Sequence, residues 1–162
     1  SRTLDNPWTL SFPSGWGAPA ELRIKDLQAW KELDLSPEGK AFSGTVTYTT
    51  TFNLDEVMPA MHYFLDLGRV EMIAVVSLNG KPLRTLWAPP YNLDLTDAVK
   101  PGENTLTVEV TSTWFNRLVY DAGQPEANRK TWTINGPDKK EPLRNSGLLG
   151  PVVLKTESSV QK

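Results

Sequence analysis

Apolar and polar residues alternate along this chain with a period of two, the repeat of a β-strand, wherever a pattern is visible. Thr45-Val46-Thr47-Tyr48-Thr49-Thr50-Thr51-Phe52 places Val46, Tyr48 and Phe52 on one face and threonines on the other. β-Branched and aromatic residues fill that run, which suits a pleated, half-buried surface. Thr105-Leu106-Thr107-Val108-Glu109-Val110 repeats the scheme with Leu106, Val108 and Val110 inward. Tyr63-Phe64-Leu65-Asp66-Leu67 and Ile73-Ala74-Val75-Val76-Ser77-Leu78 predict two more strands, the second apolar enough to be covered on both faces.

Turn residues separate these runs. Asn79-Gly80 predicts a tight hairpin into a short strand around Leu83 to Trp87. Pro101-Gly102 predicts a turn ahead of the strand at Thr105 to Val110. Asn92-Leu93-Asp94-Leu95-Thr96 alternates again, Asp97 to Lys100 reads as one helical turn, and the final strand is placed at Pro151 to Lys155. Strands spaced in this way with Gly and Pro between them predict an all-β sandwich. A single short helix is expected, at Asp26 to Glu32, with Asp26 as its cap and Leu27 and Trp30 packing inward. Pro13 to Ala20 and the long stretch Asn116 to Gly147 show no periodicity and read as loops, the longer one as a functional or partner-contacting segment. Thr156 to Lys162 reads as a frayed tail.

Composition narrows the classes of function. At 162 residues one domain is expected, with an ordered core over about residues 8–155. Six Trp, 13 Pro and 11 Gly favour a sandwich over a helical bundle. The absence of Cys removes disulfides, zinc–thiolate sites and thiol nucleophiles together. A net charge of −2 argues against nucleic acid or an anionic membrane as partner. No apolar run approaches the ~18 residues of a membrane span. The chain opens Ser1-Arg2-Thr3 without an initiator Met or a leader, so it reads as a piece of a longer protein.

The ordered motifs carry a resemblance. Val75-Val76-Ser77-Leu78-Asn79-Gly80-Lys81, then Ala88-Pro89-Pro90-Tyr91-Asn92-Leu93-Asp94-Leu95-Thr96, then Lys100-Pro101-Gly102-Glu103-Asn104-Thr105-Leu106-Thr107-Val108-Glu109-Val110 follow one another as in the sugar-binding domain of family 2 glycoside hydrolases. The ending Ser146-Gly147-Leu148-Leu149-Gly150-Pro151-Val152-Val153-Leu154 fits the same module. Leu86 to Tyr91, Thr113 to Leu118, Thr131-Trp132-Thr133 and Ser146 to Val152 are similar to the C-terminal domain of bacterial α-L-rhamnosidases of family 106. The resemblance implies a galactose-binding-like jelly roll, an accessory part of a larger glycoside hydrolase, and a periplasmic or extracellular bacterial setting. Arg84 departs from the pattern, which has a small residue there, and is expected to alter the hairpin or a ligand edge beside it.

Catalysis by this chain is not expected. A glycosidase needs two carboxylates about 5 to 9.5 Å apart across one bond. None of the 19 acids stands in a signature that singles it out. Asp66 and Asp94 read as structural, and His62, the sole histidine, has no catalytic motif around it. The resemblance puts the catalytic carboxylates on a separate barrel. It also implies a loop carrying an Asp towards that barrel, and by position Asp121 takes that role. Sugar binding calls for aromatic platforms with polar residues beside them. The candidates are Trp87, Tyr91, Trp114 and Trp132 as platforms, with Asn116, Arg117 and Asp121 as polar contacts. Against that stands a packing role for each Trp, with Arg117 and Asp121 simply paired. Trp8, Trp16 and Trp30 are assigned to core or interdomain packing. No cofactor is expected; a structural calcium would need carboxylates and carbonyls, and no calcium-loop motif selects them. Three readings remain open: a scaffold for the catalytic domain, an independent carbohydrate-binding module, and a protein-interaction sandwich.

Overall fold

The computed structural model describes residues 1–159. Its strands are β1 (Arg2–Thr3), β2 (Trp8–Ser11) and β3 (Glu21–Ile24), then, after the one-turn helix α1 (Pro37–Lys40), the ten-residue β4 (Thr45–Leu54). β5 (Met61–Asp66), β6 (Arg69–Glu71), β7 (Ile73–Leu78), β8 (Lys81–Leu86), β9 (Asn92–Asp94) and β10 (Gly102–Thr111) follow. Helix α2 (Phe115–Ala122) precedes β11 (Gly147–Gly150) and β12 (Val153–Ser158). A six-stranded sheet in the order β3-β2-β4-β10-β7-β8 faces a four-stranded sheet in the order β1-β12-β5-β9, and β11 with β6 forms a small third sheet. Every strand pairing is antiparallel. This is a β-sandwich.

The alternation explains the layers. Val46, Tyr48 and Phe52 of β4 meet Leu106, Val108 and Val110 of β10 and Ala74, Val76 and Leu78 of β7 in one continuous buried cluster. Leu65 of β5, Leu93 of β9 and Leu154 of β12 close it from the opposite sheet. Each Val, Leu or Phe among them contributes about 1.5–3 kcal/mol when fully buried. Thr50 lies on this buried face too, where its hydroxyl donates to the Pro7 carbonyl at 2.9 Å.

Two of the turn motifs form one device. Asn79 and Gly80 both take positive φ, 52° and 78°, the requirement of a tight hairpin turn between β7 and β8. The Asn79 side chain reaches across to Ala98 O (3.1 Å), Asn104 Oδ1 (3.0 Å) and the Thr105 N–H (2.9 Å). Asn104, fully buried, bonds the Lys100 and Gly102 backbone in turn. The Asn-Gly and Lys-Pro-Gly-Glu-Asn runs therefore lock one end of the sandwich. Arg84 pairs with Val76 on the exposed edge strand β8, next to a bulge that absorbs Leu83. Pro82, Lys81 and Arg84 on that edge discourage further strand pairing.

Several elements depart from the sequence reading. Asp26 to Ala29 is not helical, and Asp26 caps nothing; only Trp30–Glu32 makes a 3₁₀ turn, with Ala29 extended before it. Tertiary bonds hold this segment: the Trp30 N–H goes to Ser146 O at 3.0 Å and its indole to the Tyr48 hydroxyl at 2.6 Å. Helices form instead at α1, which has Ser36 capping the Gly39 N–H and Pro37 in the first turn, and at α2 inside the stretch read as loop. The turn read at Asp97 to Lys100 begins earlier, with the Ala98 and Val99 N–H groups bonded to Leu95 O. The last strand is displaced to Val153–Ser158, so Thr156 to Ser158 are paired with β5; Val160 to Lys162 lie outside the described residues.

The Tyr48 hydroxyl ties three segments together. It accepts from Trp30 Nε1 at 2.6 Å and from the Leu148 N–H at 3.2 Å, and burial pushes its pKa up to about 12. Gly147 passes beside it at φ 104°, where a Cβ would lie 2.5 Å from the Trp30 indole nitrogen. Tyr48→Phe would leave two buried donors unpaired. We expect it to destabilise the domain by about 2–5 kcal/mol, read as a lower urea midpoint with an unchanged slope.

Candidate functional site

The ladder register gathers the irregular segments at the end of the sandwich opposite the Asn79–Asn104 device. Thr45 pairs with Thr111, Thr111 with Ile73, and Ala74 with Leu86. The segments that continue from there are Ser112 to Trp114, Met72, and the Trp87 loop. β11 pairs with β6 and brings Gly147 opposite Glu71, which adds Arg144 to Ser146 to the same end.

One buried guanidinium organises much of it. Arg117, 1% exposed, donates Nε to Asp121 Oδ2 (3.1 Å), Nη2 to Asp121 Oδ1 (2.9 Å) and Nη1 to Glu38 Oε1 (2.8 Å). Its faces are covered by the Trp16 and Tyr120 rings, each 5.1 Å from ring centre to guanidinium carbon. Asp121 also accepts from the Lys130 N–H (3.2 Å), the Thr131 N–H (2.8 Å) and the Thr131 hydroxyl (2.7 Å). Lys130 Nζ bonds the Gly15 carbonyl. The Ser43 hydroxyl caps the first turn of α2 by accepting the Arg117 N–H at 3.0 Å. Burial works to raise the Asp121 pKa, but the bonds from Arg117 and Thr131 outweigh it and hold the carboxyl below its ordinary value. Glu38 is lowered chiefly by its bond from Arg117.

The seven candidate residues divide into two groups. Tyr91, Asn116, Arg117 and Asp121 are buried, and their polar groups are engaged inside the domain. The Tyr91 hydroxyl donates to Met72 O at 2.6 Å. Asn116 clamps Arg144, accepting its N–H at 2.8 Å and donating to its carbonyl at 2.9 Å. Asp121, which the resemblance pointed outward, is turned inward because Arg117 sits four residues before it on the same helix face. Trp87 and Trp132, both 77% exposed, and Trp114, 44% exposed, face solvent. Trp114 packs edge-on to Trp16 with ring centres 5.1 Å apart. Trp8 and Trp30 are core residues, and Trp16 packs at the Arg117 cluster.

Two recesses flank β6 and share Arg69 and Glu71. One, about 320 Å³, is lined by Lys31, Met72, Ser112 and Arg144 among others. The other, about 550 Å³, lies under Pro89, Pro90 and Tyr91. Sequence reasoning missed Lys31, Arg69 and Arg144: Lys31 stands in the segment read as a short helix, Arg69 in a three-residue strand and Arg144 in the stretch read as loop. Asp66 and Asp94 cap turns, accepting from the Gly68 N–H (2.9 Å) and the Thr96 N–H (2.8 Å). Among the described residues no three of His, Asp and Glu gather at metal-ligating distance, and no helix is long and apolar enough to cross a membrane.

Sandwich, motifs and loop end together define a galactose-binding-like domain of the glycoside hydrolases. The chain belongs to the glycosyl hydrolase 2 galactose-binding domain-like family, whose model matches residues 36–147. It is 38% identical over 176 residues to a putative beta-glucuronidase of Formosa agariphila, a match covering 92% of this chain and 15% of that protein. The rhamnosidase from Novosphingobium sp. PP1Y superposes with a TM-score of 0.87 at 40% identity, over 97% of this chain and 15% of that one. A beta-glucuronidase from an uncultured Clostridium sp. shares the fold at 22% identity and a TM-score of 0.59, over 68% of this chain and 22% of that one. The chain thus spans about 15% of the length of these two more similar relatives.

Asp121 gives this geometry a testable consequence. With a folded pKa below the ordinary ~3.9, it contributes stability above about pH 4 and loses it as pH falls through the folded value. Asp121→Asn removes the main counter-charge of a buried cation, for an expected loss of about 3–5 kcal/mol at neutral pH. Urea titrations should show the gap to the parent protein narrowing as pH falls below the ordinary carboxylate range, where the parent progressively loses the same interaction.

Proposed function

We propose that this domain is a non-catalytic scaffold of a rhamnosidase- or glucuronidase-like glycoside hydrolase, and that its aromatic loop end packs against the catalytic domain. The observation that carries this reading is the concentration of exposed large apolar side chains there: Trp87, Trp114 and Trp132, with Ile134 at 73%. Such exposure on a folded domain marks an interaction surface. The loops that present Trp114 and Trp132 are tethered through Arg117 and Asp121, so the surface is preformed and a partner need not order it.

The carboxylates support the non-catalytic part of the reading. A general acid for glycoside cleavage needs a raised pKa. Glu38, Asp66, Asp94 and Asp121 are all lowered by hydrogen bonds to cations, hydroxyls or backbone N–H groups. Each is engaged in holding the fold.

Two measurements test the proposal. The 162-residue chain should release no nitrophenol from nitrophenyl α-L-rhamnoside or β-D-glucuronide, and turnover that survives purification would refute it. Trp87→Ala and Trp132→Ala should each change the stability of the chain alone by no more than about 0.5 kcal/mol. In the longer enzyme the same substitutions should lower the thermal midpoint; an unchanged midpoint would mean that these rings do not face the catalytic domain.

A further inference from the structure

The smaller recess beside β6 has a chemistry that the scaffold reading does not use. Lys31, Arg69 and Arg144 bring three cations to a space of about 320 Å³ that has Glu71 as its one carboxylate. Arg69 holds that carboxylate, with Nε 2.9 Å and Nη2 2.8 Å from Glu71 Oε1. The other two cations have no carboxylate partner among the described residues. Lys31 spends one donor on Leu143 O at 3.1 Å.

Arg144 is the most informative of the three. Asn116 clamps its backbone from both sides, and its guanidinium lies 3.5 Å over the Phe115 ring. Its hydrogen bonds within the domain pass through the backbone, so the guanidinium fork is oriented while its donors stay open. A planar fork of this kind matches a carboxylate with two parallel bonds. The remaining lining is suited to a sugar ring. The half-buried Asn145 offers its amide and the exposed Met72 an apolar flank, while the Ser112 and Ser146 hydroxyls on the floor are buried and engaged within the domain. The size falls at the lower end of small-ligand sites, which run from about 300 to 1,000 Å³.

We infer that this recess binds a uronate, a pyranose carrying a carboxylate, with the carboxylate on Arg144 and Lys31 and the ring against Met72. The inference rests on the domain's place in a glycoside hydrolase, but not on how its tryptophans pack. It can therefore fail while the scaffold role stands, and the reverse.

The test is a titration of the isotopically labelled chain with trigalacturonate, its methyl ester, inorganic phosphate and a glutamate-rich peptide, followed by amide shifts. Trigalacturonate should move the amides of Lys31, Met72, Thr113 and Asn145, and its binding should weaken with salt. Loss of the charge in the methyl ester, or Arg144→Gln or Lys31→Gln in the protein, should each weaken it by about tenfold or more. Both substituted side chains reach solvent, so an unchanged melting curve should accompany the loss. The inference is overturned if trigalacturonate moves none of these amides at millimolar concentration, or if ester and acid bind alike. It is overturned equally if both variants bind as the parent does, or if phosphate or the peptide binds as tightly as the uronate.

Discussion

The loop end of this domain depends on the buried Arg117 guanidinium. Four stretches of chain outside the strands converge on it: Gly15–Trp16, Ser36–Glu38, α2 itself, and Lys130–Thr131. Burying a cation costs several kcal/mol, and only a complete set of partners repays it. Here the set is complete, with two carboxylates in the plane and two aromatic rings on the faces. A hydrophobic plug of equal volume could match it in stability. It could not also fix the backbone of Lys130 and Thr131, whose N–H groups donate to Asp121 Oδ2, the oxygen that also accepts Arg117 Nε.

That arrangement also explains which parts of the structure were legible in the sequence. β4, β7 and β10 were, because each buries one face and alternation records burial directly. The Asn79–Gly80 and Lys100–Asn104 turns were too, since positive φ and side-chain-to-backbone bonds demand particular residues. Helix α2 was not. Its buried residues include Asn116, Arg117 and Asp121, while Phe115, Leu118 and Ala122 are only partly covered. A helix that turns its polar side inward defeats a reading that takes apolar residues as the inward face. The spacing of Phe115, Leu118, Val119 and Ala122 was nevertheless helical, and was the one signal available.

The candidate site divides along the same line. Trp87, Trp114 and Trp132 were legible as surface aromatics because they stand in turn-rich sequence where a core residue has no strand to carry it inward. Asn116, Arg117 and Asp121 were read as polar contacts in an irregular segment, but they lie on α2 and their partners are other parts of the same chain. No local pattern distinguishes a polar group awaiting a ligand from one awaiting Glu38, which lies 79 residues away. The cations of the recess are also far apart in sequence: β11 pairing with β6 brings Arg144 to Arg69, and the bonds from Lys31 to Leu143 O and from the Trp30 N–H to Ser146 O bring in Lys31.

The two ends of the sandwich therefore do different work. At one, Asn79 and Asn104 close tight turns through short side chains. At the other, the buried polar residues Arg117, Asp121 and Asn116 hold long segments in place and leave large side chains outward. Asn116 connects the two parts of that end: it belongs to α2, which Arg117 anchors, and it clamps Arg144, which borders the cationic recess. A displacement of α2 would consequently reach both the tryptophan surface and the recess. Under the proposed docking, a catalytic domain packed against Trp114, directly before α2, would have a physical route to the guanidinium of Arg144 through Phe115 and Asn116.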